Sequence, residues 1–176
     1  MAQACKVALN KTKIPNLSAG ELKSYLKLAK HSKRRRSPKI LHRFGAKLNR
    51  VFNFMMHDSY MQPHLHPGEE KTEWITIVKG KIAILFFNDH GNVNSYRLLS
   101  TNGKQIIKVP PFTWHTYVIL SKHAITYETM KGVYNAKTWK TMPWWAPPEN
   151  SPKKYLYLNK LKNSNILSPK NTCKKT

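Results

Sequence analysis

His64-Leu65-His66 sets two imidazoles two residues apart, and Glu73 and His115 follow at separations that let one metal ion be shared among all four side chains. In an extended strand, residues two apart point to the same face, so His64 and His66 form a ready clamp. Glu73 comes after residues 67–72, where a hairpin return sets its carboxylate beside the imidazoles, and His115 lies in a later run behind Pro110-Pro111-Phe112-Thr113-Trp114. Three neutral imidazoles plus one carboxylate suit a divalent first-row transition metal (Fe, Mn, Ni, Cu or Zn) and leave coordination positions open for water or ligand. The expected metal ligands are therefore His64, His66, Glu73 and His115. An HxH pair alone arises by chance in a chain with eight histidines. The expectation rests on the whole run His64-x-His66-x6-Glu73-x6-Gly80 together with Pro110-x4-His115. His31, His57, His90 and His123 have no comparable setting.

The elements that must position these residues are legible in outline. Ser18-Ala-Gly-Glu21 has the form of a capping box, and Leu22, Tyr25, Leu26 and Ala29 recur at helical spacing with Lys23, Lys27 and Lys30 turned away. The spacing predicts a helix over 19–31, packed outside the main core and stapled at its start by Leu17 against Leu22. From about residue 50 to 130 the pattern changes to short apolar or alternating runs. They predict strands at 51–56, 59–66, 74–78, 81–87, 93–99, 105–109, 113–120 and 124–130, separated by turn signals such as Lys79-Gly80, Asn102-Gly103 and Pro110-Pro111. Eight strands suit a closed or jelly-roll barrel. The expected fold class is all-β with a short N-terminal helix and, after residue 130, an irregular C-terminal arm carrying Gly132, Pro143, Pro147, Pro148 and Pro152. The expected organisation is a basic segment over 1–17, one domain over 18–150, and a loose Lys-rich tail over 151–176, where Tyr155-Leu156-Tyr157-Leu158 and Ile166-Leu167 are the apolar clusters.

The net charge of +23 at first suggests nucleic-acid binding. Its distribution argues against that. Residues 1–50 carry +13, residues 51–149 only +3 and residues 150–176 +7, so the excess sits in flanks rich in Lys, Asn and Ser, without a helix-turn-helix, finger or stacking motif. A solvated charged face is the plainer account, and nucleic acid is not an expected partner. Cys5 and Cys173 form neither a CxxC nor a disulfide framework. No run approaches the length of a membrane span and Met1–Lys13 lacks the apolar core of a signal peptide, so a soluble cytoplasmic protein is expected.

The residue pattern resembles the two motifs of the cupins, and the WbuC-type cupin family in particular. The resemblance runs through Ser59-Tyr60, Pro63-His64-Leu65-His66-Pro67, Lys71-Thr72-Glu73, Val78-Lys79-Gly80, Phe86-Phe87, Gly91, Pro110–Thr116, Glu128, Gly132-Val133-Tyr134 and Trp145-Ala146-Pro147. The basic lead-in Arg34-Arg35-Arg36, Leu41-His42 and Asn49-Arg50 is similar too, so that residues 20–150 are covered. Against the general cupin pattern, six residues stand between His66 and Glu73 instead of three or four, and Phe112 stands where Gly is usual; the WbuC group is similar in both respects. Gly132-Val133-Tyr134 replaces the usual Gly-Pro-Tyr.

The resemblance implies a cupin jelly-roll barrel with one metal ion, and a role on a sugar or nucleotide sugar in bacterial surface-polysaccharide (O-antigen) biosynthesis. Cupins also include non-catalytic binding modules, which is the alternative. Under the enzymatic reading Glu128 is the candidate proton-handling residue, or else a partner holding His115, and Arg34, Arg36, His42 and Arg50 are the candidate phosphate contacts. A small-molecule ligand is the expected partner, and a homodimer is compatible with the sequence.

Overall fold

The computed structural model describes residues 14–164. Cys5, Cys173, the Ile166-Leu167 pair and most of the basic N-terminal segment lie outside them. Helix α1 (Ala19–His31) begins where the capping box puts it: the Glu21 amide donates to Ser18 Oγ (3.2 Å) and the Ser18 amide donates to Glu21 Oε2 (2.9 Å). Eight strands follow: β1 (Arg36–Ile40), β2 (Leu48–Met56), β3 (Glu73–Lys79), β4 (Lys81–Phe87), β5 (Val93–Ser100), β6 (Ile106–Val109), β7 (His115–Ile119) and β8 (His123–Lys131). A second helix, α2 (Lys154–Lys162), closes the described chain. The strands form a five-stranded sheet, β1-β2-β8-β3-β6, and a three-stranded sheet, β5-β4-β7, with every named pairing antiparallel.

Alternation along the strands decides what each face does. Ile75 and Ile77 of β3, Ile82 and Ile84 of β4, and Tyr117 and Ile119 of β7 meet between the sheets with Met55, Met61, Leu99, Ile107, Val109 and Ala124. On the outer face of the larger sheet, Phe52, Phe54, Ile125 and Tyr127 receive α1 through Leu22, Tyr25, Leu26 and Ala29, with the Tyr25 ring stacked on Phe54 at 5.0 Å. The predicted helix thus packs outside the main core, as its single apolar stripe requires.

Three elements depart from the sequence expectation. Residues 59–66 form no strand. Residues 59–64 are buried in succession, which breaks the alternation of a half-exposed strand, and their polar groups find partners in the arm: Tyr60 Oη donates to the Pro147 carbonyl (2.8 Å) and Gln62 Nε2 to that of Ala146 (3.3 Å). Ladder pairing is limited to His64 with His115 and Leu65 with Thr141. Conversely, the basic lead-in supplies strand β1, whose Pro38 is tolerated because β1 lies at the sheet edge.

The segment read as a loose tail holds α2. Leu158 and Leu161 are buried, Leu161 against Ala83, Leu85, Phe87 and Val118 on the outer face of the smaller sheet, and Tyr157 meets Tyr60 edge-on at 6.0 Å. Lys and Asn interleaved with those leucines hide the helical stripe in the sequence. Leu161→Ala should therefore cost about 2 kcal/mol or more in chemical denaturation. Truncation after Asn150 should lower the melting temperature by more than ~5 °C; an unchanged melting temperature would return this stretch to the status of a dispensable tail.

Candidate metal centre

The turn into β7 and the run before β3 are joined by backbone hydrogen bonds in both directions: the His64 amide donates to the His115 carbonyl (3.0 Å) and the His115 amide to the His64 carbonyl (2.9 Å). Two ligand segments far apart in sequence thereby become neighbours. Phe112, in the turn before β7, has φ 55°, a left-handed conformation that a bulky residue adopts only at a cost, and its amide donates to the His66 carbonyl (3.1 Å). That backbone requirement explains why Gly is usual at this place in the general cupin motif. Gly80 meets a similar demand at φ 87°, where any Cβ would collide with the His123 carbonyl.

His64, His66, Glu73 and His115 are brought together as the sequence predicts: one ligand atom from each lies within 4.8 Å of all the others, and all four residues are buried. Each imidazole is oriented by a carbonyl. Nδ1 of His64 donates to the Gln62 carbonyl (3.0 Å), Nδ1 of His66 to that of Trp139 (2.8 Å) and Nδ1 of His115 to that of Thr113 (2.8 Å). Because a carbonyl only accepts, the proton of each neutral ring sits on Nδ1 and the Nε2 lone pair faces the common point. The Nε2 atoms of His64 and His66 are buried without a hydrogen-bond partner, and His115 Nε2 lies 3.1 Å from Glu73 Oε2. Buried nitrogens aimed at one point beside a carboxylate fit a divalent ion, which would supply the missing partner. This group could hold a metal ion.

Electrostatics agree with that role. Burial, then the nearby Lys140 cation, holds the His64 imidazole far below its usual range, so it stays neutral and able to ligate. Burial acts to raise the Glu73 carboxyl, but the adjoining His115 and His66 rings outweigh it and hold the group well below the usual carboxylate range. Protons and metal therefore compete for the same atoms.

The centre opens on a cavity of about 620 Å³. Its walls include Asn49, Val51 and Asn53 of β2, Glu128 and Met130 of β8, Trp139 and Lys140 of the arm, and Arg34, His42, Tyr134 and Glu149. Glu128 is buried, its oxygens accepting from Asn53 Nδ2 and Thr126 Oγ1, both at 2.7 Å. Burial and the neighbouring Glu73 charge push its carboxyl up to about 7 against the pull of those hydrogen bonds. It does not hold His115, whose Nδ1 turns back to its own tight turn.

The candidate phosphate contacts separate into three kinds. Arg36 is buried, donating from Nη1 to the Tyr60 carbonyl (2.6 Å) and pairing through Nη2 with Glu149. Arg34 pairs with the other Glu149 oxygen (2.8 Å) but remains largely exposed and lines the cavity. His42 lines the cavity and accepts from the Arg50 amide at Nδ1 (3.0 Å), whereas Arg50 itself is exposed and not part of the walls, because strand alternation sends Asn49 and Val51 inward instead.

Lys140, Trp139 and Glu149 escape sequence reasoning. They stand in an aperiodic arm, and only long-range pairing, such as Leu65 with Thr141, gives them a place. Glu149→Ala should destabilise the fold by ~3 kcal/mol in denaturant titration, since it strands the Arg36 charge inside; a loss under ~1 kcal/mol would show that Arg36 is relieved by water.

Comparison with known proteins places these observations in context. Residues 17–99 match a family described as "Domain of unknown function (DUF6016)". No curated protein sequence matches the chain. Among solved structures, CapF bound to the inhibitor 3-isopropenyl-tropolone is similar with a TM-score of 0.52 and 14% identity over 61% of this chain and 31% of that one. Oxalate oxidase with the substrate analogue glycolate is similar with a TM-score of 0.50 and 12% identity over 64% of this chain and 57% of that one. The chain thus spans about a third of one of these relatives and just over half of the other. Both are cupin-fold proteins, and the architecture here, two antiparallel sheets with a helix at each end, is a cupin fold. A buried His/Glu group that could hold a metal is set within it. Among the described residues no helix is long and apolar enough to cross a membrane.

Proposed function

We propose that the protein is a metal-dependent cupin that acts on a sugar or nucleotide sugar in bacterial surface-polysaccharide biosynthesis. One observation carries the metal-dependent part: two partnerless Nε2 atoms, a third Nε2 and a carboxylate converge at the floor of a cavity large enough for a small molecule. The sugar assignment is supported by the resemblance of residues 20–150 to WbuC-type cupins, and the walls suit such a ligand, with the Trp139 and Tyr134 rings beside the polar groups of Asn49, Asn53 and Glu128. A bound divalent ion would act as a Lewis acid on a ligand oxygen. His64, His66, Glu73 and His115 would hold it. Glu128, with a pKa of about 7, takes or gives a proton at the ligand, while Asn53 and Thr126 keep its carboxylate aimed at the cavity. The non-catalytic alternative draws on the same hydrogen bonds, because a carboxylate engaged at both oxygens is also what a purely structural role looks like.

Elemental analysis tests the centre. Wild type refilled after chelation should retain about one divalent ion per chain, lose it on acidification as protons compete for the ligand atoms, and retain far more than His64→Ala/His66→Ala treated alike. Equal metal in the two proteins would remove the assignment.

Calorimetric titration of the metal-loaded protein with a panel of nucleotide sugars tests the ligand class. Binding should weaken by ~1.5–3 kcal/mol in Arg34→Ala, the range for hydrogen bonds to charged groups, and change little in Arg50→Ala. If no member of the panel binds, the nucleotide-sugar assignment is lost while the metal centre stands.

A further inference from the structure

Among the described residues Lys140 is the one lysine on the cavity wall, and the backbone delivers it there. The Thr141 amide donates to the Leu65 carbonyl (2.9 Å) and the Leu65 amide to the Thr141 carbonyl (3.1 Å), between the two histidines of the clamp. One residue upstream, the Trp139 carbonyl accepts from His66 Nδ1. Lys71 secures the same stretch, donating from Nζ to the Thr138 carbonyl (2.8 Å) and lying over the Trp139 ring at 5.2 Å. Lys140 is therefore held on both sides, in register with the metal-ligand run.

Its ammonium has no partner that matches this placement. Neighbouring cations are engaged: Arg36 and Arg34 by Glu149, and Lys71 by the Thr138 carbonyl. Lys140 Nζ makes no hydrogen bond and no ion pair among the described residues, although Glu73, Glu128, Arg36 and Glu149 all act on it through space. Loss of water pulls its pKa below that of a free lysine, against the opposing pull of the Glu73, Glu128 and Glu149 carboxylates. A half-buried ammonium on a cavity wall, with no acceptor in hydrogen-bond reach, is placed to receive an anionic group of a ligand.

From this we infer that Lys140 binds the carboxylate of a small acidic ligand whose other end lies at the His64/His66/Glu73/His115 centre. The ligand class is a sugar acid or a hydroxy acid. A carboxylate fits better than a phosphate for two reasons. Glu73 and Glu128 border the same space, so a dianionic phosphoryl group meets about twice the repulsion of a monoanion. Of the two arginines that suit the bidentate geometry of phosphate, Arg36 is buried and taken up by Glu149 and the Tyr60 carbonyl, and Arg34 shares the same Glu149 carboxylate. The inference rests on the proposed cavity-and-metal reading and makes its sugar more specific, an acidic one.

Calorimetry on the full chain, metal-free and manganese(II)-loaded, tests it with D-glucuronate, glycolate, D-glucose and D-glucose 1-phosphate as probes. D-glucuronate should bind the loaded protein at least about tenfold more tightly than D-glucose, and Lys140→Met should weaken it about ten- to a hundredfold at unchanged manganese content and melting temperature. Lys140→Gln, of similar length, makes the same comparison if the Met variant does not fold. Glycolate binding that depends on Lys140, without glucuronate binding, identifies the hydroxy acid and upholds the carboxylate assignment. The inference is overturned if neither acid binds, if both Lys140 variants bind the acid within about twofold of wild type, or if D-glucose 1-phosphate is preferred. A chain that takes up no manganese yet binds glucuronate through Lys140 overturns the metal centre alone.

Discussion

Three imidazole Nδ1 groups donating to three main-chain carbonyls are the constraint around which the rest of the molecule is arranged. A buried histidine needs a partner for its N–H, and here the partners are Gln62, Thr113 and Trp139, from three segments remote in sequence. Two of the carbonyls stand two residues before the histidines they orient. The third belongs to the arm, so the arm must return across the barrel mouth for His66 to keep its tautomer. Lys71 over Trp139, the Leu65–Thr141 pairing and the Tyr60–Pro147 hydrogen bond are all ways of bringing it back.

The same return explains how charge is placed. A chain of net charge +23 has cations in excess, yet the cavity side uses them sparingly: Arg36 is buried only because Glu149 comes with the arm to meet it, and Glu149 in turn engages Arg34. Breaking such a pair leaves a charge that the interior cannot solvate, so the arm and β1 are tied by electrostatics as firmly as by packing. The acids Glu73 and Glu128 share a low-dielectric space but differ in proton affinity: the neighbouring histidines hold Glu73 low, while burial and then the Glu73 charge push Glu128 up to about 7. Two carboxyls of one barrel are thereby suited to different work, one to ligation and one to proton exchange.

The helices are fitted to opposite outer faces. α1 covers Phe52, Phe54, Ile125 and Tyr127 of the larger sheet, and α2 places Leu161 over Ala83, Leu85 and Val118 of the smaller. Each sheet would otherwise expose an apolar face. With both covered, the inner faces divide into a core of Ile, Leu and Met at one end and the histidine centre with its cavity at the other.

The sequence alone determined what local chemistry can determine. The capping box and stripe of α1 and seven of the eight strands follow from periodicity and turn residues, relations within a few neighbouring positions, and the four converging residues His64, His66, Glu73 and His115 follow from residue type and the spacing within two separate motifs. β1 was hidden because its Arg-Ser-Pro-Lys-Ile composition does not alternate, and α2 because Lys and Asn dilute its apolar stripe. The tertiary structure decided which polar residues share the cavity. Glu128 faces inward while Arg50 does not, because strand register and alternation set the faces; Arg36 is buried because Glu149 arrives from more than a hundred residues away; and Lys140 stands beside the histidines because one antiparallel bridge, Leu65 with Thr141, closes over the barrel mouth. Such contacts depend on the path of the whole chain, and no local pattern of residue types encodes them.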